Sequence, residues 1–386
     1  CYLKISFFFM NFPLFLLYIL LLVGSFAVTY LLLPKIIGIV TYKRLMDNPN
    51  TRSSHSIQTP SLGGIAFYIV IVLGLYFLRP LDHADKAMAM IPGLLILFII
   101  GLKDDLVILG PLTKIFAQVA AISFVLIHPD FHIRDLHGFL GIHEVSTFVT
   151  IPLAAFIMLS IINAFNLIDG IDGLAAIVGI IIFTVMGVLF YFLDLSFFMG
   201  ITLLMVGTLL AFLRFNLSSS KKIFMGDTGS LLIGFIIACA VIRFFAVPSK
   251  QLLSLPFYLE NLPLVVMAIL VVPFFDTARV FTIRIMNKRS PFSADRNHIH
   301  HILIDYLKLS HKQASMTIGG VNVLFITIFI LLSTSVNNYS LLAITVFILL
   351  GLIYLFYRLN FSYKNLRRRL EWRKRMTKLK GFSRLL

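Results

Sequence analysis

Long apolar runs divide the chain, and they restrict its fold more than any other feature of the sequence. Each is close to the roughly 20 residues that one helix needs to cross a membrane. They lie at 12–33, 61–78, 87–102, 112–128, 148–165, 173–193, 197–213, 229–247, 260–278, 317–335 and 339–357. The chain is 59% hydrophobic and 13% charged, with a mean hydropathy of +0.96, which excludes an ordinary soluble domain. The sequence predicts an all-α polytopic membrane protein with about eleven transmembrane helices.

Basic residues are distributed unevenly between the loops that join these runs. The formal net charge is +16. One set of loops and the tail carry 27 of the 33 Lys and Arg residues: 34–60, 103–114, 214–228, 279–316 and the residues after 357. Cytoplasmic loops retain Lys and Arg, so this set is predicted to face the cytoplasm. The N-terminus is then outside and the C-terminus cytoplasmic, in a cell inner or plasma membrane. The first run is expected to stay in the protein, with Met10 as a candidate start.

The chain contains no internal repeat or low-complexity linker that would divide it. Residues 1–357 are therefore predicted to form a single integral-membrane domain with its active-site loops on the cytoplasmic side. The tail 358–386 contains the basic runs 367–369 and 373–375, which are typical of segments that bind anionic lipid headgroups. Nucleic-acid binding is the weaker interpretation, because no binding module accompanies the tail, and no nucleic-acid partner is predicted. The oligomeric state is left open, with a homodimer as one alternative.

Two adjacent aspartates, Asp104 and Asp105, end the third apolar run. A charged side chain within hydrocarbon costs about 2.5 to 3.5 kcal/mol on insertion scales, so a pair at this point calls for an explanation. Neighbouring residues of a helix point about 100° apart. One aspartate is therefore expected to face a reacting group and the other a lysine or a metal ion. Acids that merely end a helix at the interface are the alternative.

A denser polar cluster, Asn163 to Gly173, follows the fifth apolar run. Asn163 and Asn166 are three residues apart, as are Asp169 and Asp172, so each pair is expected to lie on one helical face. The glycines in the cluster permit a turn that approaches a ligand closely. Amide and carboxylate oxygens of this kind suit Mg²⁺, which takes few protein ligands and leaves positions for phosphate and water. A polar turn between two helices is the alternative.

The segment from Gly226 to Ser230, Gly-Asp-Thr-Gly-Ser, comes directly before the main part of the eighth run. A turn of this composition that opens a helix offers free N–H groups beside the carboxylate of Asp227, which suits an anion held through a cation. Asp and Ser are also ordinary N-caps, so the motif alone is a weak signal.

Two further loops of the basic set are rich in polar residues. The loop that contains Arg296, His298, His300 and His301 offers a forked donor and imidazoles, which bind phosphate or sugar groups. Zinc is the weaker interpretation, because the loop has no cysteine or acidic ligands at zinc spacing. The first loop, 47–64, contributes a set that includes Asn50, Arg52, His55, Pro60, Gly63 and Gly64. We expect all these clusters to converge on one membrane face.

In this order, the motifs resemble the polyprenyl-phosphate N-acetylhexosamine-1-phosphate transferases, the glycosyltransferase 4 family, from about residue 35 to residue 305. The His298-Ile-His300-His301 form is similar to the WecA/TagO-like branch, which starts O-antigen, common-antigen or teichoic-acid chains. The branch that transfers phospho-MurNAc-pentapeptide has an uninterrupted triple histidine, which this chain lacks. That branch is the leading alternative.

The resemblance implies a reaction at a membrane surface. The phosphate of an undecaprenyl or other polyprenyl carrier attacks the β-phosphorus of a UDP-N-acetylhexosamine, with GlcNAc as the default sugar. UMP is released, and the lipid-linked sugar diphosphate is the first membrane intermediate of a cell-envelope polysaccharide. Phosphoryl transfer depends mainly on positioning and charge neutralisation, so Mg²⁺ is the expected cofactor, with Mn²⁺ as a substitute.

The resemblance also implies roles for individual residues. The expected metal ligands are Asn166 and Asp227. The expected catalytic residues, which orient or deprotonate the acceptor phosphate, contact the nucleotide or order the loop, are Asp104, Asp105, Asp169 and Asp172. The expected substrate-binding residues are Asn163, Arg52, His55, Lys103, Arg296, His298, His300 and His301, with Lys103 also steadying the aspartate pair.

Two other functional classes fit parts of the pattern. A transporter would have polar groups near the bilayer midplane and repeated broken helices, whereas the acids here cluster at one predicted face. A phosphotransferase that uses CDP-alcohols would carry Asp, Gly and Arg in one contiguous motif, whereas this chain distributes its motifs over several loops. Both are weaker predictions than the sugar-phosphate transferase.

Overall fold

A computed structural model of the chain describes residues 2–47, 59–78, 84–286, 288, 303–304 and 307–359. In these ranges the helices are α1 (Tyr2–Tyr42), α2 (Gly64–Leu78), α3 (Ala84–Leu106), α4 (Pro111–Leu126), α5 (Thr147–Ile168), α6 (Leu174–Phe192), α7 (Ser196–Asn216), α8 (Gly226–Phe245), α9 (Ser249–Leu252), α10 (Leu262–Ile269), α11 (Val271–Met286), α12 (His311–Ser333) and α13 (Asn338–Leu359). Strands β1 (Met46–Asp47) and β2 (Thr59–Pro60) pair antiparallel, as do β3 (Asp135–Phe139) and β4 (Ile142–Glu144).

The helices reproduce the apolar pattern of the sequence. Within the described ranges, eight are long and apolar enough to cross a membrane: α1, α3, α5, α6, α7, α8, α12 and α13. The segment Leu259–Ile269 and α11 form a further candidate that is bent by 70°, and α2 and α4 are shorter apolar helices. Each predicted apolar run coincides with one of these elements. The prediction of an all-α polytopic membrane protein is confirmed, whereas the number of spans and the orientation of the termini stay predictions.

Helix α8 lies at the centre of the bundle and packs against α2, α3 and α5. Its membrane-spanning window is buried on all sides, as expected for a helix that is apolar around its whole circumference. Asp227 is in its first turn and Arg243 is in its last. At a rise of about 1.5 Å per residue, these two residues are about 24 Å apart along the helix axis. Helix α8 therefore connects two distinct polar regions.

The bend between α10 and α11 has a local cause in the sequence. Pro273 is the third residue of α11, and proline has no N–H with which to bond the carbonyl four residues earlier. That carbonyl belongs to Ile269, the last residue of α10. The ladder of helical hydrogen bonds is therefore interrupted where the axis changes direction.

Successive helices run in opposite directions, so their ends lie on two sides of the bundle. The Asp227 face comprises the ends of α3, α5 and α7 and the beginnings of α4, α6 and α8, together with β2. The Arg243 face comprises the end of α8, the β3–β4 hairpin and helix α9. The single-domain prediction stays a prediction, and most of the basic tail, residues 360–386, lies outside the described residues.

Candidate active site

The first turn of α8 is held by a carboxylate from α3. The Asp227 N–H donates to Asp105 Oδ1 at 2.7 Å, and Thr228 donates its N–H and its hydroxyl to Asp105 Oδ2 at 3.1 and 2.6 Å. These backbone groups have no partner within the helix itself. Gly226 has φ of +71°, and a Cβ there would lie 2.5 Å from Asp105 Oδ2. The motif opens a helix as predicted, but the N–H groups of Asp227 and Thr228, which were expected to be free for a ligand, donate to Asp105.

The same turn is hydrogen-bonded to the residues around the start of α2. Phe224 N–H donates to the Pro60 carbonyl at 2.8 Å, and Gly63 N–H donates to the Phe224 carbonyl at 3.0 Å. Gly64 N–H donates to the Met225 carbonyl at 2.9 Å. A Cβ at Gly64 would lie 2.3 Å from the nitrogen of the residue after Thr228, so the close approach requires glycine. These contacts fix the position from which Asp227 projects.

Lys114, near the start of α4, joins two carboxylates. Its Nζ forms an ion pair with Asp104 and lies 3.2 Å from Asp227 Oδ2. The other oxygen of Asp104 accepts the Leu109 N–H at 2.7 Å. The expectation that Lys103 steadies the aspartate pair is corrected here: Lys103 is exposed and forms no ion pair within the described part of the chain. We call Asp104, Asp227 and Lys114 the carboxylate–lysine cluster.

Asn166, a predicted metal ligand, lies beside Asp227, the other one. Its Nδ2 donates to Asp227 Oδ1 and to Ser230 Oγ, the latter at 2.8 Å. The Ser230 hydroxyl in turn donates to the Gly226 carbonyl at 3.0 Å. Two residues that are 61 positions apart in the sequence thus present adjacent oxygen-bearing groups, as the prediction requires.

Asn163, predicted to bind substrate, pairs instead with a buried glutamine of α4. Asn163 Nδ2 donates to Gln118 Oε1 at 2.7 Å, and Gln118 Nε2 donates to Asn163 Oδ1 at 3.3 Å. Gln118 is only 1% exposed. Because Lys114 and Gln118 are four residues apart, they lie on one face of α4. The amide pair therefore braces the helix that carries Lys114 against α5, and a substrate contact of Asn163 stays a prediction.

Asp172 connects three segments of the Asp227 face. Its Oδ2 accepts from Lys222 Nζ at 2.6 Å and lies 3.1 Å from His311 Nδ1, and its carbonyl accepts the Ser315 hydroxyl at 2.7 Å. Burial alone would raise the pKa of Asp172, but the hydrogen bonds from His311 and Lys222 outweigh it and hold the pKa below its usual value. These contacts join the turn before α6 to Lys222 and to α12, and the expected roles of Asp172 in ordering the loop and contacting the nucleotide stay predictions.

The expected helical pairing of Asp169 and Asp172 is wrong. Helix α5 ends at Ile168, and both aspartates lie in the turn before α6. Gly173 ends this turn with φ of +82°, a conformation that glycine adopts without strain. Its N–H donates to Asn216 Oδ1 at 2.5 Å. The glycines therefore determine the local structure, and the three-residue spacing of the two aspartates does not correspond to a helix here.

The contacts of Asp172 predict a pH-dependent effect on stability. We expect Asp172→Asn to lower the free energy of unfolding by about 1–3 kcal/mol at pH 7, because Lys222 and His311 lose a buried charged acceptor. A carboxyl whose pKa is depressed in the folded state stabilises above its unfolded pKa of about 3.9, and this stabilisation is lost as the pH falls through the folded value.

Thermal unfolding of both proteins across pH 3–7 measures this difference. The gap in melting temperature between wild type and Asp172→Asn should be constant above about pH 5 and should narrow below about pH 4. The matched control is Asp194→Asn, because Asp194 is exposed on the other side of the protein. A gap that is equally large for the control, or that widens in acid, would contradict the role of Asp172.

Asp169, one of the predicted catalytic residues, is not engaged by the contacts described above. It accepts no hydrogen bond from any described residue. Burial, together with the charges of Asp227, Asp105 and Asp172, raises the pKa of Asp169 to about 8. The Asp169 carboxyl lies beside the carboxylate–lysine cluster, and at pH 7 its raised pKa leaves it mostly protonated.

This concentration of carboxyl groups suits a bound divalent cation. Asp104, Asp105, Asp169 and Asp227 lie near one another, and within the described ranges only Lys114 pairs with two of them. No group of three His, Cys, Asp or Glu residues in the described ranges is arranged to hold a metal ion by itself. Mg²⁺ usually takes one or two protein carboxylates and completes its shell with water and phosphate. The Asn166–Asp227 pair fits that pattern of ligands.

Part of the predicted site cannot be placed. The loop residues expected to bind substrate lie outside the described residues: Arg52, His55, Arg296, His298, His300 and His301. Their roles stay predictions.

Several contacting residues were not predicted from the sequence: Lys114, Gln118, Lys222, Asn216 and His311. Lys114 and Gln118 did carry a signal, because two polar residues at helical spacing interrupt an apolar helix. Lys222 and His311 carried none, since their partner Asp172 is distant in the sequence.

Comparison with known proteins gives the family. The model for glycosyl transferase family 4 matches residues 87–245, which include α3 through α8 and the carboxylate–lysine cluster. A decaprenyl-phosphate N-acetylglucosaminephosphotransferase of Mycolicibacterium smegmatis is 32% identical over 70% of this chain and 71% of its own length. The chain belongs to glycosyl transferase family 4.

Two other relatives have a similar sequence identity to this chain. An undecaprenyl-phosphate alpha-N-acetylglucosaminyl 1-phosphate transferase of Escherichia coli O157:H7 is 29% identical over 67% of this chain and 69% of its own length. A phospho-N-acetylmuramoyl-pentapeptide-transferase of Staphylococcus haemolyticus is 32% identical over 63% and 81%. Sequence identity alone therefore does not show whether this chain is more similar to the N-acetylglucosamine-phosphate transferases or to the phospho-N-acetylmuramoyl-pentapeptide-transferase.

Proposed function

We propose that this membrane protein transfers N-acetylhexosamine 1-phosphate from a UDP-sugar to polyprenyl phosphate, releasing UMP. One observation carries the proposal: four carboxyl groups from two helix ends and a turn meet around Lys114 and Asn166 on one face of the bundle. The named activities of the relatives support it, because they join N-acetylglucosamine phosphate to undecaprenyl or decaprenyl phosphate. An acceptor with a lipid tail also accounts for an active site at the ends of membrane helices.

The proposed reaction is an in-line displacement. An oxygen of the acceptor phosphate forms a bond to the β-phosphorus of the UDP-sugar, and the bond from that phosphorus to the oxygen bridging to UMP breaks. UMP leaves with the bonding electrons, and no oxidant or reductant is needed. Such transfer needs positioning and neutralisation of charge more than a covalent nucleophile.

Asn166 and Asp227 are the proposed ligands of Mg²⁺, and Mn²⁺ is its proposed substitute. When bound, the ion supplies positive charge to the diphosphate of the donor. Asp105 is proposed to act indirectly, because its two oxygens are occupied in holding the first turn of α8. It thereby positions Asp227, so that Asp105 is a positioning residue.

Lys114 is the proposed contact for the acceptor phosphate. Its side chain is 24% exposed and already faces two carboxylates, so an incoming phosphate can replace one of them as its partner. Asp104 sets the lysine's position from the other side, with one oxygen fixed by the Leu109 N–H. The carboxyl group of Asp169 is available to the substrate-bound site. The acceptor is proposed to bind as its dianion, since the second ionisation of a phosphate lies near pH 6.

The location of the reaction follows from the charge pattern. We propose that the Asp227 face is the cytoplasmic side of an inner or plasma membrane, since most of the basic loops adjoin it. Basic loops also raise the local concentration of anionic substrates. The proposed cellular role is the first membrane step of an envelope polysaccharide such as O-antigen or teichoic acid, with the basic tail bound to anionic lipids.

A panel of donors tests which substrate the site takes. Purified protein is incubated with polyprenyl phosphate, Mg²⁺ and one donor at a time: UDP-GlcNAc, UDP-GalNAc or UDP-MurNAc-pentapeptide. Mass spectrometry of the lipid product then identifies the transferred group. We expect a UDP-N-acetylhexosamine, with UDP-GlcNAc preferred, to give product with equimolar UMP. Exclusive use of UDP-MurNAc-pentapeptide would instead support the activity named for the staphylococcal relative.

A further inference from the structure

A polar cavity of about 450 Å³ lies on the Arg243 face, remote from the carboxylate–lysine cluster. Two parts of the chain enclose it: the turn that leads into β3 and the residues that follow α8. Its charged and polar lining includes Asp130, His132, Arg134, Asp135, Arg243 and Ser249. Nothing in the proposed transferase reaction uses these residues.

Arg243 is the buried cation of this cavity. The residue is 8% exposed, and its Nε is enclosed without a hydrogen-bond partner. Its guanidinium forms no ion pair or hydrogen bond with any described residue, although it lines the cavity. A buried guanidinium without hydrogen-bond partners is costly, because it has lost its water, and the nearby charge of Asp130 is shared with Lys86.

The two carboxylates in the cavity wall are already engaged elsewhere. Asp130 pairs with Lys86 at 2.9 Å, and the Lys86 side chain is only 1% exposed. Burial by itself raises the pKa of Asp130, but the Lys86 hydrogen bond and the charges of Lys86 and Arg243 outweigh it, so the pKa is lowered. Asp130 is therefore ionised, and one carboxylate faces two buried cations.

The second carboxylate is engaged by the hairpin and by α9. Asp135 accepts the His137 N–H at 2.7 Å and the Ser249 hydroxyl at 2.8 Å. The cavity lining contains two cationic side chains, Arg134 and Arg243, and two carboxylates, Asp130 and Asp135, so its formal charges balance. Because Asp130 is also paired with Lys86 and Asp135 accepts from Ser249, the free donors of Arg243 favour an additional anion.

We propose that this cavity is an oxyanion site that binds a phosphate group through the guanidinium of Arg243. A guanidinium forms two parallel hydrogen bonds with a phosphate, which a single ammonium group cannot do. Arg243 lies in the last turn of a membrane helix, the depth at which lipid phosphates are found. The phosphate comes either from a lipid headgroup or from free inorganic phosphate, since both present the same oxygens.

Hydrogen exchange measured by mass spectrometry on the intact protein tests the site and separates it from the active site. In the first arm, protein in maltoside detergent, which has no phosphate, receives sodium phosphate or sodium chloride at equal ionic strength. In the second, nanodiscs of phosphatidylglycerol are compared with maltoside. We expect peptides covering 127–139 and 245–252 to exchange at least about threefold more slowly when phosphate is present.

Arg243→Met is the test variant, and Lys250→Met is its matched control, because Lys250 is exposed on the same face and does not line the cavity. Protection in either arm that Arg243→Met abolishes and Lys250→Met retains supports the site, and the arm that shows it identifies the source. Transferase activity should be unchanged in both variants. Absence of protection in wild-type protein in both arms overturns the proposal, even if Arg243→Met does not fold. Protection that Arg243→Met retains also overturns it.

Discussion

Asp227→Asn is expected to lower the rate of Mg²⁺-dependent UMP release at least about 100-fold. Asparagine keeps the size of the side chain and an oxygen to accept from Asn166, but it removes the negative charge. The Asp227 carboxylate contacts the Asn166 amide and the Lys114 ammonium. The backbone of Asp227 lies in the first turn of α8, where its N–H donates to Asp105. Loss of its charge therefore removes a metal ligand and frees the lysine at the same time.

The measurement is a Mg²⁺ titration of UMP release with purified variant and wild type. Asp194→Asn provides the matched control, because it makes the same chemical change at an exposed position away from the site. The variant should retain a cooperative thermal transition within a few degrees of wild type. Wild-type activity of a folded Asp227→Asn protein would remove Asp227 from the metal site.

Lys114→Met is expected to lower kcat/KM for polyprenyl phosphate at least about 100-fold. Opposite charges about 4 Å apart near a protein surface attract by about 4 kcal/mol before desolvation is counted, and Lys114 has two such contacts, with Asp104 and Asp227. Methionine keeps most of the side-chain length and removes the charge. Two carboxylates then face each other, and the acceptor phosphate loses its cation.

Lys103→Met is the matched control for this experiment, since it removes the same charge from an exposed lysine next to Asp104. It should change kcat/KM by no more than about twofold, because Lys103 has no ion pair among the described residues. The contrast separates a specific contact from a general loss of positive charge. A larger defect in Lys103→Met than in Lys114→Met would show that the lysine inferred from the sequence is the functional one.

Sequence patterns were sufficient to predict features that depend on residues close together in the chain. The apolar runs placed the membrane helices, and the glycine-rich motif was predicted to open the eighth of them, which begins at Gly226, three residues before the predicted run. In both cases the information lies within one helix length. The assignment of Asn166 and Asp227 as ligands of one ion came instead from the resemblance to the family, and the fold brings the two residues together.

Long-range contacts could not be derived in the same way. The hydrogen bonds that α8 donates to Asp105 join residues more than 120 positions apart, and no spacing rule identifies such a pair. The choice between Lys103 and Lys114 depends on the turn that connects α3 to α4, which directs Lys114 back towards Asp104. The Asp172 ion pairs likewise exist only once α12 has packed beside the turn before α6.

The central claim is tested most directly by the mass balance of the proposed reaction. Purified protein is incubated with UDP-GlcNAc, polyprenyl phosphate and Mg²⁺, and UMP and the lipid product are quantified together, with a parallel sample in EDTA. Equal amounts of UMP and polyprenyl-diphosphate-linked sugar, both absent in EDTA, are the predicted result. Release of UDP in place of UMP, or a lipid product that carries a single phosphate, would contradict sugar-phosphate transfer.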